Sequence, residues 1–297
     1  GLDAAVPAAA PVWAMVRGAR VIGVGEGTHG THEFRRLLHA LVVHAAEEEQ
    51  PLVLAVELPF DLVLALDAWT GHGWSPGPDL RGRDLSDPKL LATDWLGAVQ
   101  ESRDLVTWIR DFNRDVPRER RIRIVGVDVC MSPHCGATIS DYIADVDPAA
   151  EPRARDLVAP LRDYALERTR SPELAARVRA NLAELRAMLV ERRDRIVAGR
   201  GAHTYAVAER LVWLAERRVD IALVAGDNPV SLERERAMAD TVVWIRGQLG
   251  DAGWVLVHAH NGHVGRSRER MPNGRLSLST QMGQHLAIRL GSDYAVV

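Results

Sequence analysis

Between positions 25 and 34 the chain reads GEGTHGTHEF, which places Glu26, His29, His32 and Glu33 within one short stretch. A carboxylate three residues before an imidazole can pair with it, fixing the ring's tautomer and raising its basicity, which is the equipment of a general base. The glycines at 23, 25, 27 and 30 let the backbone approach a ligand with no Cβ in the way. A second stretch, 257–266, reads VHAHNGHVGR and carries His258, His260 and His263 around Asn261. Three imidazoles so close suit a metal held by histidines and carboxylates, or a metal-free site for acid–base work and oxyanion stabilisation. His258 ranks below the other two, on the expectation that it faces away from them.

These residues need a scaffold, and the hydrophobic pattern supplies one. Apolar runs at 20–25, 52–58, 122–129 and 254–260 read as strands buried on both faces, and 294–297 begins a last strand. Helical spacing marks 31–48, with Thr28 or Thr31 as its cap, then 60–69, 94–116, 138–144, 203–219, 231–249 and 280–290. Residues 1–18 read as a short helix or arm, 71–88 as a long loop, and 219–226 as either helix or strand. The fold expected is α/β, a mostly parallel sheet wrapped by helices. Its core spans 1–150 and 203–297, with a helical hairpin at 151–202 inserted as a lid or prop. Four of the strands end in Glu26, Glu57, Asp128 and His260. In parallel α/β sheets ligands bind beyond the carboxyl ends of the strands, so one cleft is expected there.

Composition narrows the partners. With 47% apolar and 26% charged residues and a net charge of −3, the chain is of ordinary globular type. Neither nucleic acid nor an anionic membrane is expected to bind it. Lys89 is the only lysine, so nearly all positive charge is arginine. Cys130 and Cys135 form neither a disulfide framework nor a zinc signature and are expected to be buried thiols in a reducing compartment. Residues 4–16 lack the basic flank of a signal peptide, and no run reaches membrane-spanning length, so a cytoplasmic protein is expected.

Two motif matches mislead. Residues 25–30 spell G-x-G-x-x-G between strand and helix, the context of a dinucleotide fingerprint. Against it, Glu57 comes later than the usual ~20 residues, and Glu26 would oppose a pyrophosphate. Residues 73–77, GWSPG, satisfy G-x-S-x-G, but Pro76 after Ser75 has no N–H for an oxyanion hole.

The blocks GEGTHGTHEF (25–34), LAVELPF (54–60), VGVDV (125–129), RERAMADTVVWI (234–245), HAHNGHVGR (258–266) and QMGQHLAIRLGSDYAVV (281–297) together resemble the erythromycin esterase family. The resemblance implies an α/β core and hydrolysis of a lactone by water, with no covalent enzyme intermediate and no obligatory metal or other cofactor. It implies that His29 is the base that activates water, with Glu26 and Glu57 as acidic partners. His260 and His263 match the family's H-N-G-H block, and Arg234 opens its R-[DE]-x-x-M-A block; these three are expected to stabilise the oxyanion. His32, Arg35, Asp128 and Asn261 are assigned to substrate binding. Thr241 stands where the family usually has asparagine, and the chain stops where members commonly continue, so a lactone or related ester is expected rather than a macrolide in particular. Two alternatives stay open. The same base can promote an intramolecular displacement or ring closure on a natural-product intermediate, or the histidines and Glu26 can hold a metal or haem without catalysis.

Overall fold

In the computed structural model, residues 2–71, 99–130, 135–166, 171–225, 232–266 and 281–297 are described. The GWSPG match with Ser75, most of the 71–88 loop, the first residues of the expected 94–116 helix, His134 and Ser231 lie outside these residues. The chain divides into two units, one of Gly1–Leu58, Val63–Val127 and Met238–Val297, the other of Pro59–Leu62 and Asp128–Ala237.

The first unit is built on a five-stranded sheet of β1 (Val21–Glu26), β2 (Leu52–Pro59), β3 (Arg123–Asp128), β4 (Trp254–His260) and β5 (Tyr294–Val296), in the order β3-β2-β4-β1-β5. β1 pairs parallel with β4 and β5, and β2 parallel with β4. The sheet is thus the parallel α/β sheet expected. All six residues of β1 and six of the seven in β4 are buried, the condition of strands covered on both faces. Ile22, Val24, Leu52, Leu54, Val56, Ile124 and Leu256 join the principal hydrophobic cluster.

Helices α1 (Leu2–Val16), α2 (His32–Glu47), α3 (Phe60–Trp69) and α4 (Gln100–Asp115) follow in chain order. α1 packs on α2, and Trp13 meets Trp254 edge-on at 5.6 Å between ring centroids. α2 starts after Thr31, but the Thr31 hydroxyl bonds that of Thr28 at 2.5 Å instead of capping the helix. The buried side of α2 carries Leu38, Leu41, Val42 and Ala45, and Arg35 lies on the same stripe. Polar side chains fasten the start of β3. Asn113 Nδ2 donates to the carbonyls of Thr70 and Ile122, while its Oδ1 accepts from Ile122 N at 2.7 Å. Asp67 accepts from Ile124 N at 2.8 Å and pairs with Arg123 at 3.0 Å.

The second unit is helical: α5 (Cys135–Val146), α6 (Glu151–Leu166), α7 (Pro172–Glu191), α8 (Arg193–Arg200), α9 (Ala202–Ala225) and the start of α10 (Leu232–Gln248). The stretch 219–226, which periodicity left undecided, continues α9 as far as Ala225. α7 begins on Ser171, whose Oγ accepts from Leu174 N, with Pro172 in the first turn. Ala175, Val178, Leu182, Leu185 and Leu189 then repeat at helical spacing as its buried stripe. The short α11 (Asn261–Val264) directly follows β4, and α12 (Met282–Leu290) precedes β5. Among the described residues no helix is long and apolar enough to cross a membrane.

Candidate active site

The neighbouring strands β2, β4 and β1 bring three of the four expected strand-end residues together in the first unit. Glu26 is fully buried at the end of β1, opposite His260 in the register. Its Oε1 stands 2.8 Å from His29 Nδ1. A carboxylate can only accept here, so the proton is on Nδ1 and the lone pair of His29 on Nε2. The His29 side chain is 46% exposed while its partner is fully buried. An accessible imidazole is thus oriented by an inaccessible carboxylate.

Glu26 is held from two further directions. Arg35 Nη2 donates to Oε1 at 3.2 Å and lies 3.1 Å from Oε2. Burial lowers the Arg35 pKa, with Glu26 and then Glu57 pulling it back up; a guanidinium remains charged in such a site. His258 Nε2 lies 3.6 Å from Glu26 Oε2, and His258 Nδ1–H donates to the Val24 carbonyl at 3.1 Å. Burial drives the His258 pKa down to about 3, helped by the Arg35 charge, so this ring is neutral. The expectation that His258 faces away from His260 is wrong. Side chains alternate along a strand with period two, so residues two apart share a face, and His258 packs against Glu26.

Glu57 is one residue out of step with this set, since Val56 and Val24 both pair with His258. It accepts from the backbone N–H of His260 at 2.9 Å and pairs with His263 Nε2 at 3.0 Å. One carboxylate thereby fixes the point where β4 turns into α11. The His260 ring spans the neighbouring strand end: Nδ1 accepts from Gly262 N at 3.0 Å, so Nε2 carries the proton and donates to the Gly27 carbonyl at 3.1 Å. The rings of His29 and His260 are 5.3 Å apart between centroids.

Asn261 explains one of the glycines. A Cβ on Gly25 would collide with Asn261 Oδ1, so the space that a pyrophosphate would need at a dinucleotide fingerprint is filled by this amide. Gly25→Ala is expected to cost about 1–3 kcal/mol through overpacking, and Asn261→Ala in the same chain to return part of that loss. Urea unfolding of the single and double variants measures it; equal stability of Gly25→Ala and wild type would contradict the contact.

Other expected residues have partners of their own. Among the described residues, His32 bonds Glu101 on α4 and Arg36, not the Glu26 or Glu57 groups. It lines a pocket of about 550 Å³ with His39, Asp104 and Trp108. Arg234 and Asp128 belong to the second unit and clasp each other, with Arg234 Nη2 2.7 Å from Asp128 Oδ2 and Nε 3.0 Å from Oδ1. Sequence reasoning assigned Arg35 to substrate binding, whereas it is the buried counter-charge of Glu26. The signal was present, since an arginine three and seven residues before Leu38 and Val42 lies on the core stripe of α2.

His39 adds a pH dependence. It is buried edge-on to Trp108 at 5.6 Å, and desolvation lowers its pKa to about 4, against a pull upward from Asp104. Below pH ~6.5 the unfolded chain takes up this proton while the folded chain refuses it until about pH 4. Stability therefore falls on acidification through that window, by at most about 1.4 kcal/mol per pH unit from this group. His39→Phe, which keeps a ring against Trp108, is expected to shallow the acid limb of a stability–pH curve. Parallel limbs for variant and wild type would refute the assignment.

With this geometry established, the comparisons place the chain. It belongs to the erythromycin esterase family, whose sequence profile matches residues 46–297. The matched span begins after Glu26 and His29, so their pairing rests on the geometry above. Three solved structures share the fold. One is a Bacillus cereus protein, 22% identical, with a TM-score of 0.76 over 98% of this chain and 68% of that one. Another is described as a succinoglycan biosynthesis protein, 21% identical, with a TM-score of 0.71 over 96% of this chain and 67% of the other. The third is a mutant of the erythromycin esterase EreC in its open conformation, 18% identical, with a TM-score of 0.67 over 97% and 71%.

Proposed function

We propose that the chain hydrolyses a carboxylic ester or lactone with water activated by His29. The observation that carries this is the 2.8 Å contact of His29 Nδ1 with the buried Glu26, which leaves the basic lone pair on Nε2. His29 Nε2 takes a proton from water, and the hydroxide adds to the acyl carbon. The imidazolium so formed is stabilised by Glu26, whose charge Arg35 already balances in the resting site. Collapse of the tetrahedral adduct breaks the acyl–oxygen bond, and the departing alkoxide recovers the proton from His29. The Nε2–H of His260, resting on the Gly27 carbonyl beside His29, is the donor that turns to the oxyanion. His263 and Glu57 hold that turn of chain in place. No step is assigned to Arg234 or Asp128, which engage each other in the second unit.

Family membership supports a hydrolase of this kind. The test is a mass-spectrometric screen of the protein against lactones and simpler esters in ¹⁸O-labelled water. One labelled oxygen in the acid product, with the alcohol unlabelled, is the expected result. A cyclised product without label would point to intramolecular displacement and overturn hydrolysis.

A further inference from the structure

Outside the histidine site, a second group of ionisable side chains is buried in the helical unit. Asp61 comes from the first turn of α3, Cys130 from the chain just past β3, and Cys135 from the start of α5. One ligand atom from each, the two Sγ and a carboxylate oxygen, lie within 4.8 Å of one another, and all three residues are buried. Among the described residues it is the only group of three or more such side chains gathered this closely. Asp61 is 3% exposed, and the donors beside its oxygens, the N–H groups of Asp61 and Leu62 and the Cys130 thiol, fall short of good hydrogen-bond geometry. Burying a carboxylate in that condition is costly, and proteins avoid it unless something compensates.

The resting electrostatics show how poorly the site suits its own groups. Burial raises the Asp61 pKa to about 7, against the pull of the backbone N–H groups of Asp61 and Leu62 and of the Cys130 thiol, with Asp128 raising it further. Burial raises Cys130 far more, and Cys135 too, despite the nearby Arg218. Without a cation the three donors are therefore held towards their protonated, neutral forms. A cation at their centre reverses this and lets all three ionise.

We propose that Asp61, Cys130 and Cys135 form a binding site for a divalent cation of the zinc class. Two thiolates and one carboxylate suit zinc or cadmium rather than magnesium or calcium, which take oxygen donors. With Zn–S near 2.3 Å and Zn–O near 2.1 Å, tetrahedral ligand atoms stand about 3.5–3.8 Å apart, so the group tightens by about an ångström at most. The fourth position goes to a water molecule. The ion ties the start of α3 to the start of α5, segments far apart in the chain.

The chain's cysteines are these two alone, so any metal–thiolate signal reports this site and not the histidines of the other unit. Reduced, chelator-treated protein is incubated overnight with Cd²⁺ at increasing ratios, and the near-ultraviolet thiolate-to-cadmium charge-transfer band is recorded. The expected band saturates at one equivalent, the Cd²⁺ Kd rises by an order of magnitude or more in Asp61→Asn, and the band disappears in the Cys130→Ser, Cys135→Ser double variant. Circular dichroism checks that the variants fold, and the wild-type titration decides alone if they do not. No band at excess Cd²⁺, a band unchanged by a folded Asp61→Asn, or the two thiols recovered as a disulfide from protein purified under reducing conditions would each overturn the site. The readout is independent of turnover, so it stands or falls apart from the hydrolase reading.

Discussion

His29→Ala lowers kcat/KM for any ester the wild type hydrolyses by roughly 10²–10⁴-fold, the usual contribution of a positioned general base. The same variant keeps its stability within about 0.5 kcal/mol, because the side chain is nearly half exposed. The combination matters, since loss of activity with loss of fold would say nothing about chemistry. Added imidazole is expected to restore part of the rate in this variant by supplying a base where the ring stood. Full activity in a folded His29→Ala would remove the base from the mechanism. Restoration by imidazole that fails while substrate still binds would move the base elsewhere.

The second large effect belongs to Glu26. Glu26→Gln keeps the shape and removes the charge, so Arg35 loses a buried counter-charge 3.1 Å away, the strongest of the carboxylates that raise its pKa, ahead of Glu57. Breaking one side of a buried ion pair costs about 3–5 kcal/mol, and the base loses its orienting carboxylate as well. Replacing both members is less harmful than replacing either, because no uncompensated charge remains. The Glu26→Gln, Arg35→Met double variant is therefore expected to be more stable than Glu26→Gln, yet no more active. Denaturant unfolding and rate measurements on the four proteins of this cycle test both halves. If the double variant is the least stable of the four, the pair is not coupled as described.

Much of this arrangement was legible before any coordinates. The strands announced themselves because runs covered on both faces are almost wholly apolar, and Glu26, Glu57 and His260 were visible as polar residues at their ends. The pairing of Glu26 with His29 was legible because it is local, three residues across one turn. What was not legible was mostly a matter of facing and distance. The 219–226 stretch is apolar without a decisive period, and only packing resolves such a run into helix. Assigning Arg35 to substrate binding leaves out its place on the buried stripe of α2. Asp61 gave no signal at all, since its closeness to Cys130 and Cys135 arises only when the chain folds α3 back to the end of β3.

The His260 bond to the Gly27 carbonyl joins groups separated by 233 positions, whereas the Glu26–His29 pair closes within a single turn. Contacts of such long sequence separation form late, after loop-closure entropy has been offset elsewhere. On the proposed mechanism, completing the site is therefore expected to be an end-stage event of folding: Glu26 and His29 can pair locally, whereas the His260 ring is placed only by the long-range pairing of β4 between β1 and β2.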